Sequence, residues 1–235
     1  MVNIKCGDCW ELLKTIPDNS VDLVLTDPPY DFKVRNFGTG KDNISQRKYK
    51  KELSVNKYLN TDFDEVKLLE ECKRVCKKLN VVFFGTEIMV AKLINYALEN
   101  DYVFNTTIWH KTNSPPFINN TYLPNVEYII SIREHGVGLF GDLYSLSKVY
   151  SSSTNKKDKK EYNHPTIKPL ELVKKYLKNH SKEGDLVLDM YMGTGTTGVA
   201  CREMKRDFIG FEIQEQYFET AKKRIENACT QKELF

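Results

Sequence analysis

The chain has 235 residues, enough for one large domain or two small ones, with 40% hydrophobic and 29% charged side chains, the proportions of a soluble globular protein. No apolar run approaches the ~18 residues that a membrane span needs, and the opening MVNIKCGDCWELL has no charged leader before a long apolar stretch, so a cytosolic protein with reduced cysteines and no membrane partner is expected. The net charge of +3 says little as a total.

In chain order, the first strong apolar run is VDLVLT (21–26), a buried strand. It ends in Asp27-Pro28-Pro29-Tyr30. Adjacent prolines donate no backbone hydrogen bonds and cannot continue a ladder, so the strand stops here in a fixed shape. Residues 31–60 then hold eight lysines and arginines (Lys33, Arg35, Lys41, Arg47, Lys48, Lys50, Lys51, Lys57) against three acids. A basic insert on a slightly acidic body points to an anionic partner such as nucleic acid; a solvated loop would have the same composition.

FDEVKLLEECKRVCKKL (63–79) predicts a helix with Val66, Leu69, Val75 and Leu79 near one face, stopped at Asn80. VVFFG (81–85) predicts a strand and EIMVAKLINYALEN (87–100) a helix. YVFNTTIWHK (102–111) and VEYIISIR (126–133) predict paired strands across a loop with Pro115, Pro116 and Pro124. Residues 134–163, with YSSSTNKKDKKEYN and little periodicity, predict a loop-rich, partly disordered insert.

Regularity returns with a helix over 168–180, carrying Pro169 in its first turn, a strand over 185–191, a helix over 196–204, a strand over 207–213 and a helix over 214–229. Strands alternating with helices at both ends predict an α/β fold, a mostly parallel sheet with helices on both faces and one antiparallel hairpin. The simplest organisation is a single domain over 1–235 with inserted loops at 31–60 and 134–163.

DLVLDMYMGTGTTGVA places a strand end at Asp189, a turn with Gly193, Thr194 and Gly195, and a helix start at Thr196. Glycines let a ligand approach the backbone closely, and the helix start offers free N–H groups. Glu212 closes the next strand, where α/β folds bind ribose hydroxyls. The spacing is not that of a dinucleotide loop, and Asp189 beside it would repel a pyrophosphate. An ammonium-bearing nucleoside such as S-adenosylmethionine suits it better. Taken alone, the loop fits a tight strand-to-helix turn equally well.

A site at Asp27-Pro28-Pro29-Tyr30 could serve an adenine amino group. That nitrogen is a poor nucleophile, since its lone pair is delocalised into the ring. The Asp27 carboxylate and the Pro28 carbonyl could accept its two hydrogens, and Tyr30 could stack on the base, so that positioning and electrostatics supply the catalysis. The base would have to be flipped out of a duplex.

The sequence resembles the amino-group DNA methyltransferases. Asp27-Pro28-Pro29-Tyr30 matches their DPPY motif, LDMYMGTGTT their D-P-F-x-G-S-G-T-T cofactor motif, and NHPTIKPLELV (163–173) their H-P-T-x-K-P motif. GDCWELLKTIPDNSVDLVLTDPPY resembles the usual lead-in, and IWHKTN and NVEYIISI the strands after the catalytic half. The catalytic motif precedes the cofactor motif, the permuted order of the β group.

The resemblance implies a Rossmann-like, S-adenosylmethionine-dependent enzyme acting on double-stranded DNA. Asp27, Pro28, Pro29 and Tyr30 would be catalytic. Asp8, Cys9, Lys168, Asp189, Tyr191, Gly193, Thr194, Gly195, Thr196 and Glu212 would bind the cofactor, with Asp8 and Cys9 near its adenine. Lys33, Arg35, Arg47, Lys48, Lys148, Lys156 and Lys157 would grip DNA, and 134–163 would read the target. DPPY rather than SPPY favours adenine N6; the alternatives are cytosine N4, or an inactive DNA-binding relative. Met190 and Tyr191 depart from the family's Pro and Phe. The short insert leaves room for a homodimer or a partner subunit. Cys6-x-x-Cys9 has no second pair at ligand spacing, so no metal is expected.

Overall fold

The computed structural model describes residues 1–29, 63–114, 122–162, 164 and 166–230. Tyr30 and the basic stretch with Lys33, Arg35, Arg47 and Lys48 lie outside the described residues. Eight strands form one sheet: β1 (Val2–Cys6), β2 (Leu23–Thr26), β3 (Asn80–Gly85), β4 (Val103–Lys111), β5 (Val126–Arg133), β6 (Val149–Ser152), β7 (Leu186–Asp189) and β8 (Asp207–Glu212). Their order is β1-β8-β7-β2-β3-β5-β4-β6. Among the described strands only β5 runs against the others, between β3 and β4.

The helices are α1 (Cys9–Leu13), α2 (Glu65–Val75), α3 (Glu87–Glu99), α4 (Lys156–Glu161), α5 (Leu170–His180), α6 (Thr196–Glu203) and α7 (Glu215–Thr230). Every residue of β2 and β3 is buried, as expected for central strands covered on both faces. Successive side chains alternate between two cores. Val24, Val81 and Phe83 pack with Leu13 of α1, Leu68, Leu69 and Cys72 of α2 and Leu93 of α3. Leu25, Val82 and Phe84 pack with Leu172 and Tyr176 of α5, Ala200 of α6 and Ile225 of α7. No helix among the described residues is long and apolar enough to cross a membrane.

Several elements differ from expectation, β1 and α1 among them, for which the sequence reading offered no element. The helix predicted over 63–79 ends at Val75, because Cys76 turns extended and bridges Val21, with Lys77 N–H donating to the Val21 carbonyl at 2.9 Å. Pro169 caps α5 instead of lying in its first turn; its ψ of 133° is extended. Residues 134–163 contain β6, paired to β4 at the sheet edge, and α4. Four half-exposed residues, VYSS, and a six-residue helix with no buried residue give too little apolar contrast to read from sequence.

The chain leaves β2 through α2 and leaves β7 through α6, on opposite faces. β2 and β7 are neighbours, so the topology diverges between them. The crevice beyond their C-terminal ends is where doubly wound sheets bind ligands.

Candidate active site

Asp27 and Asp189 stand at that crevice, each closing one of the two strands. The Thr26 hydroxyl donates to Asp189 Oδ1 at 2.7 Å and locks the strand ends together. Asp27 lies at the head of a chain of alternating charges. Lys168 Nζ contacts Asp27 Oδ2 at 2.5 Å and Glu127 Oε1 at 2.8 Å, and Lys111 Nζ contacts Glu127 Oε2 at 2.8 Å. Asp27 Oδ1 and Glu127 Oε1 are both buried and make no hydrogen bond among the described residues; Glu127 Oε1 meets Lys168 as an ion pair only.

Burial raises the Asp27 carboxyl above its ordinary range; Lys168 opposes this and the Glu127 charge adds to it. Burial would also raise Glu127, but Lys168 and Lys111 outweigh it and bring the group down to about 2. Glu127 is therefore a firm anion that shares Lys168 with Asp27.

The glycine turn follows β7. Gly193 and Gly195 have φ of +53° and +82°, a region that disfavours side chains. Gly193 N–H donates to Glu212 Oε2 at 3.0 Å, and Gln214 N–H to Oε1 at 2.8 Å. A carboxylate has about four acceptor positions, so Glu212 keeps capacity for a ligand. Asp189 is buried, and its Oδ1 also accepts the Tyr191 N–H at 3.1 Å. Burial pushes its carboxyl up to about 6, against hydrogen bonds from Thr197 and Thr26.

Asp8 caps α1, its Oδ1 accepting from Trp10 N at 2.9 Å. The Cys9 thiol donates to the Tyr191 hydroxyl at 2.9 Å; burial raises that thiol to about 11. The Gly7 N–H donates to the Glu212 carbonyl at 2.9 Å, so the β1 end, the glycine turn and Glu212 form one continuous rim. Asp8, Cys9, Asp189, Tyr191, Gly193, Thr194, Gly195, Thr196 and Glu212 all lie on it.

Lys168 places its ammonium on Asp27 and Glu127. Lys148, Lys156 and Lys157 are exposed on and beside β6 and α4.

Several residues had no assigned role from sequence. Glu127 and Lys111 are two; a glutamate in the otherwise apolar VEYIISIR was the available signal. His164 lies against the glycine turn, its Nε2 3.4 Å from where a Gly193 Cβ would stand, and 4.4 Å ring to ring from Tyr217. Its Nδ1 accepts from Thr166 N at 3.2 Å, placing the proton of the neutral ring on Nε2. Burial, then Lys168, Lys159 and Arg224, lower it to about 4. Arg224 holds Thr194 and Thr196 from α7, and nothing in the amphipathic pattern marked it.

This rim suits S-adenosylmethionine: positive-φ glycines for close approach, a carboxylate at the end of β8, and an acidic cap on β1. Together with the doubly wound sheet and its antiparallel β5, it defines a Rossmann-like, S-adenosylmethionine-dependent methyltransferase. The N6_N4_Mtase family model, described as DNA methylase, matches residues 21–223, and the chain belongs to this family of DNA adenine-N6 and cytosine-N4 methyltransferases.

It is 30% identical to type II methyltransferase M.HpaI of Haemophilus parainfluenzae, over 94% of this chain and 73% of that protein. It is also 30% identical to type II methyltransferase M.HinfI of Haemophilus influenzae, over 93% of this chain and 67% of that one. Among solved structures, the M1.HpyAVI–S-adenosylmethionine complex aligns with a TM-score of 0.68 at 28% identity, covering 96% of this chain and 99% of that one. The cytosine-N4-specific PvuII DNA methyltransferase aligns with a TM-score of 0.69 at 18% identity, over 98% of this chain and 92% of that one, a likeness of fold. The chain is thus a DNA methyltransferase that uses S-adenosylmethionine.

Proposed function

We propose that this enzyme methylates adenine N6 of a base flipped out of double-stranded DNA. The observation that carries the reading is the state of Asp27: one oxygen held by Lys168, the other buried with no hydrogen-bond partner among the described residues. A buried acceptor without a donor is costly, and the amino group of a flipped base would supply one. Asp27 Oδ1 accepts one N6 hydrogen and the Pro28 carbonyl the other, drawing the lone pair out of conjugation. Tyr30 stacks on the base.

Gly193, Thr194, Gly195 and Thr196 line the backbone side of the cofactor, with Asp189 fixing the turn from beneath. Glu212 takes the ribose hydroxyls, and Asp8, Cys9 and Tyr191 the adenine. When bound, S-adenosylmethionine supplies an electrophilic methyl group. A methylated, tetrahedral nitrogen is acidic, so its surplus proton needs no base stronger than Asp27 or water. Lys148, Lys156 and Lys157, with the lysines and arginines of 31–60, grip phosphates, which makes binding salt-dependent. The type II methyltransferase relatives fit the modification half of a restriction–modification system.

The test is to incubate the purified protein with methyl-labelled S-adenosylmethionine and DNA lacking adenine methylation, then digest to nucleosides. Label in N6-methyldeoxyadenosine is expected. Label in N4-methyldeoxycytidine would overturn the adenine assignment while keeping the class.

A further inference from the structure

We infer that Glu127, braced by Lys111, is a positioning residue that shares the Lys168 ammonium with Asp27, so that Lys168 binds one Asp27 oxygen and leaves Oδ1 free for the target amino group. The inference rests on Asp27 being the acceptor proposed above.

Geometry carries it. Glu127 is the second residue of β5 and lies opposite Trp109 of β4. Lys111, two residues beyond Trp109, falls on the same face at the strand end, where a diagonal cross-strand pair can meet. Lys168 reaches the same point from the turn before α5. Both ammonium groups rest on aromatic faces: Lys168 Nζ is 5.1 Å from the Phe84 ring centroid, and Lys111 Nζ is 5.0 Å from that of Trp109. The lysines are thereby seated, and the carboxylates meet them at fixed points.

The side chains of Lys168 and Glu127 are only 8% and 12% exposed, so water screens neither. A cation facing a single buried carboxylate would engage both oxygens. Facing two, it divides, and each carboxylate keeps an oxygen for other work. Glu127 gives its second oxygen to Lys111. Asp27 Oδ1 has no hydrogen-bond partner among the described residues, and that oxygen is the acceptor.

The charged groups around Asp27 are Lys168 ahead of α5, Glu127 from β5, Lys111 from β4 and Asp189 from β7. Lys159 of α4 adds positive charge near Lys111 and Lys168. Within this set Glu127 raises Asp27, so its removal shifts Asp27 toward lower pH.

The experiment compares wild type with Glu127→Gln, Glu127→Asp and the double variant Lys111→Met/Glu127→Gln. Asp27 is followed by carboxylate carbon NMR, its signal assigned by its loss in Asp27→Asn. In Glu127→Gln, Asp27 should titrate at lower pH than in wild type. The acid limb of the kcat profile should move down with it, and kcat should fall about 100-fold, as for a small misplacement of a reacting group. S-adenosylmethionine affinity by calorimetry should hold, and Glu127→Asp should recover part of the loss.

A folded Glu127→Gln protein with unmoved Asp27 titration and wild-type kcat overturns the inference. Should Glu127→Gln not fold because Lys111 is left unpaired, the double variant removes both charges and is read by the same two criteria. Titration works without turnover, so the substrate reading fails separately: a shifted Asp27 in an enzyme that labels cytosine upholds the brace and rejects adenine.

Discussion

The Arg224 guanidinium donates to both oxygens of Thr194, the backbone carbonyl at 2.7 Å and the hydroxyl at 2.9 Å. Its other side meets the segment 155–162: the guanidinium carbon lies 4.3 Å from the Tyr162 ring centroid, and Nη2 4.0 Å from Asp158. One side chain of α7 thus pins the glycine turn and the helix of the insert together. Replacing Arg224 with Met removes charged donors, each worth about 1.5–3 kcal/mol. The variant should bind S-adenosylmethionine on the order of 10–100-fold more weakly by calorimetry. Tyr162→Leu, which leaves the Thr194 contacts in place, should cost less. An unchanged Kd in Arg224→Met would show that the turn holds its shape without it.

Asp189 is stressed by its own burial. Its carboxyl titrates at about 6 in the fold against an ordinary 3.8. The folded state therefore binds the proton more tightly than the unfolded chain. The charged form weighs against folding fully above pH 6, by about 3 kcal/mol, and this penalty fades as pH falls toward 4. Asp189→Asn keeps an acceptor for Thr26 and for the Tyr191 N–H without the charge. It should unfold at higher urea than wild type at pH 8, and the gap should close near pH 4. His164 and His180, also held low by burial, contribute equally to both proteins and cancel. A gap of the same size at both pH values would refute the account.

Gly195 is required by geometry. Its φ is +82°, and a Cβ there would stand 2.8 Å from Ala221 Cβ and 3.0 Å from Ala221 Cα, on a helix that cannot step aside. Gly195→Ala should cost about 1–3 kcal/mol in urea unfolding, from backbone strain and overpacking. Gly138→Ala, where a Cβ meets nothing within 4 Å, serves as the control and should stay near wild type.

Legibility followed burial. β2 and β3 carry nearly unbroken apolar runs because both their faces are covered, and β5 keeps an apolar centre, Tyr128 to Ile130, so all three were readable to within a residue or two. β1 alternates with Asn3 and Lys5 on the sheet margin, and β6 is an edge of four residues; neither has enough contrast. The acids of the site were legible for the same reason: Asp27, Asp189 and Glu212 each interrupt an apolar strand at its C-terminal end, where a charge needs an explanation. The partners were not. Lys168 lies 141 residues from Asp27, and only the antiparallel insertion of β5 beside β3 carries Glu127 to the same point. Motif order placed Lys168 with the cofactor; that its ammonium meets Asp27 and Glu127 was not legible.

Asp27 itself separates shape from charge. Asp27→Asn keeps the side chain's outline and a carbonyl acceptor, while Asp27→Ala removes the acceptor altogether. If the carboxylate acts by stabilising positive charge on the target nitrogen, Asn should lower kcat about 100–1000-fold, and Ala should lower it at least as far. Neither touches the glycine turn, so S-adenosylmethionine affinity should stay within a few-fold of wild type. Both variants leave Lys168 with Glu127 as its remaining carboxylate partner among the described acids, so some loss of stability is expected and is measured alongside by urea unfolding. If Asn retained full activity, hydrogen-bond geometry alone would suffice and the charge would be idle. If Ala retained it, Asp27 would leave the mechanism, and the free buried oxygen would need another explanation.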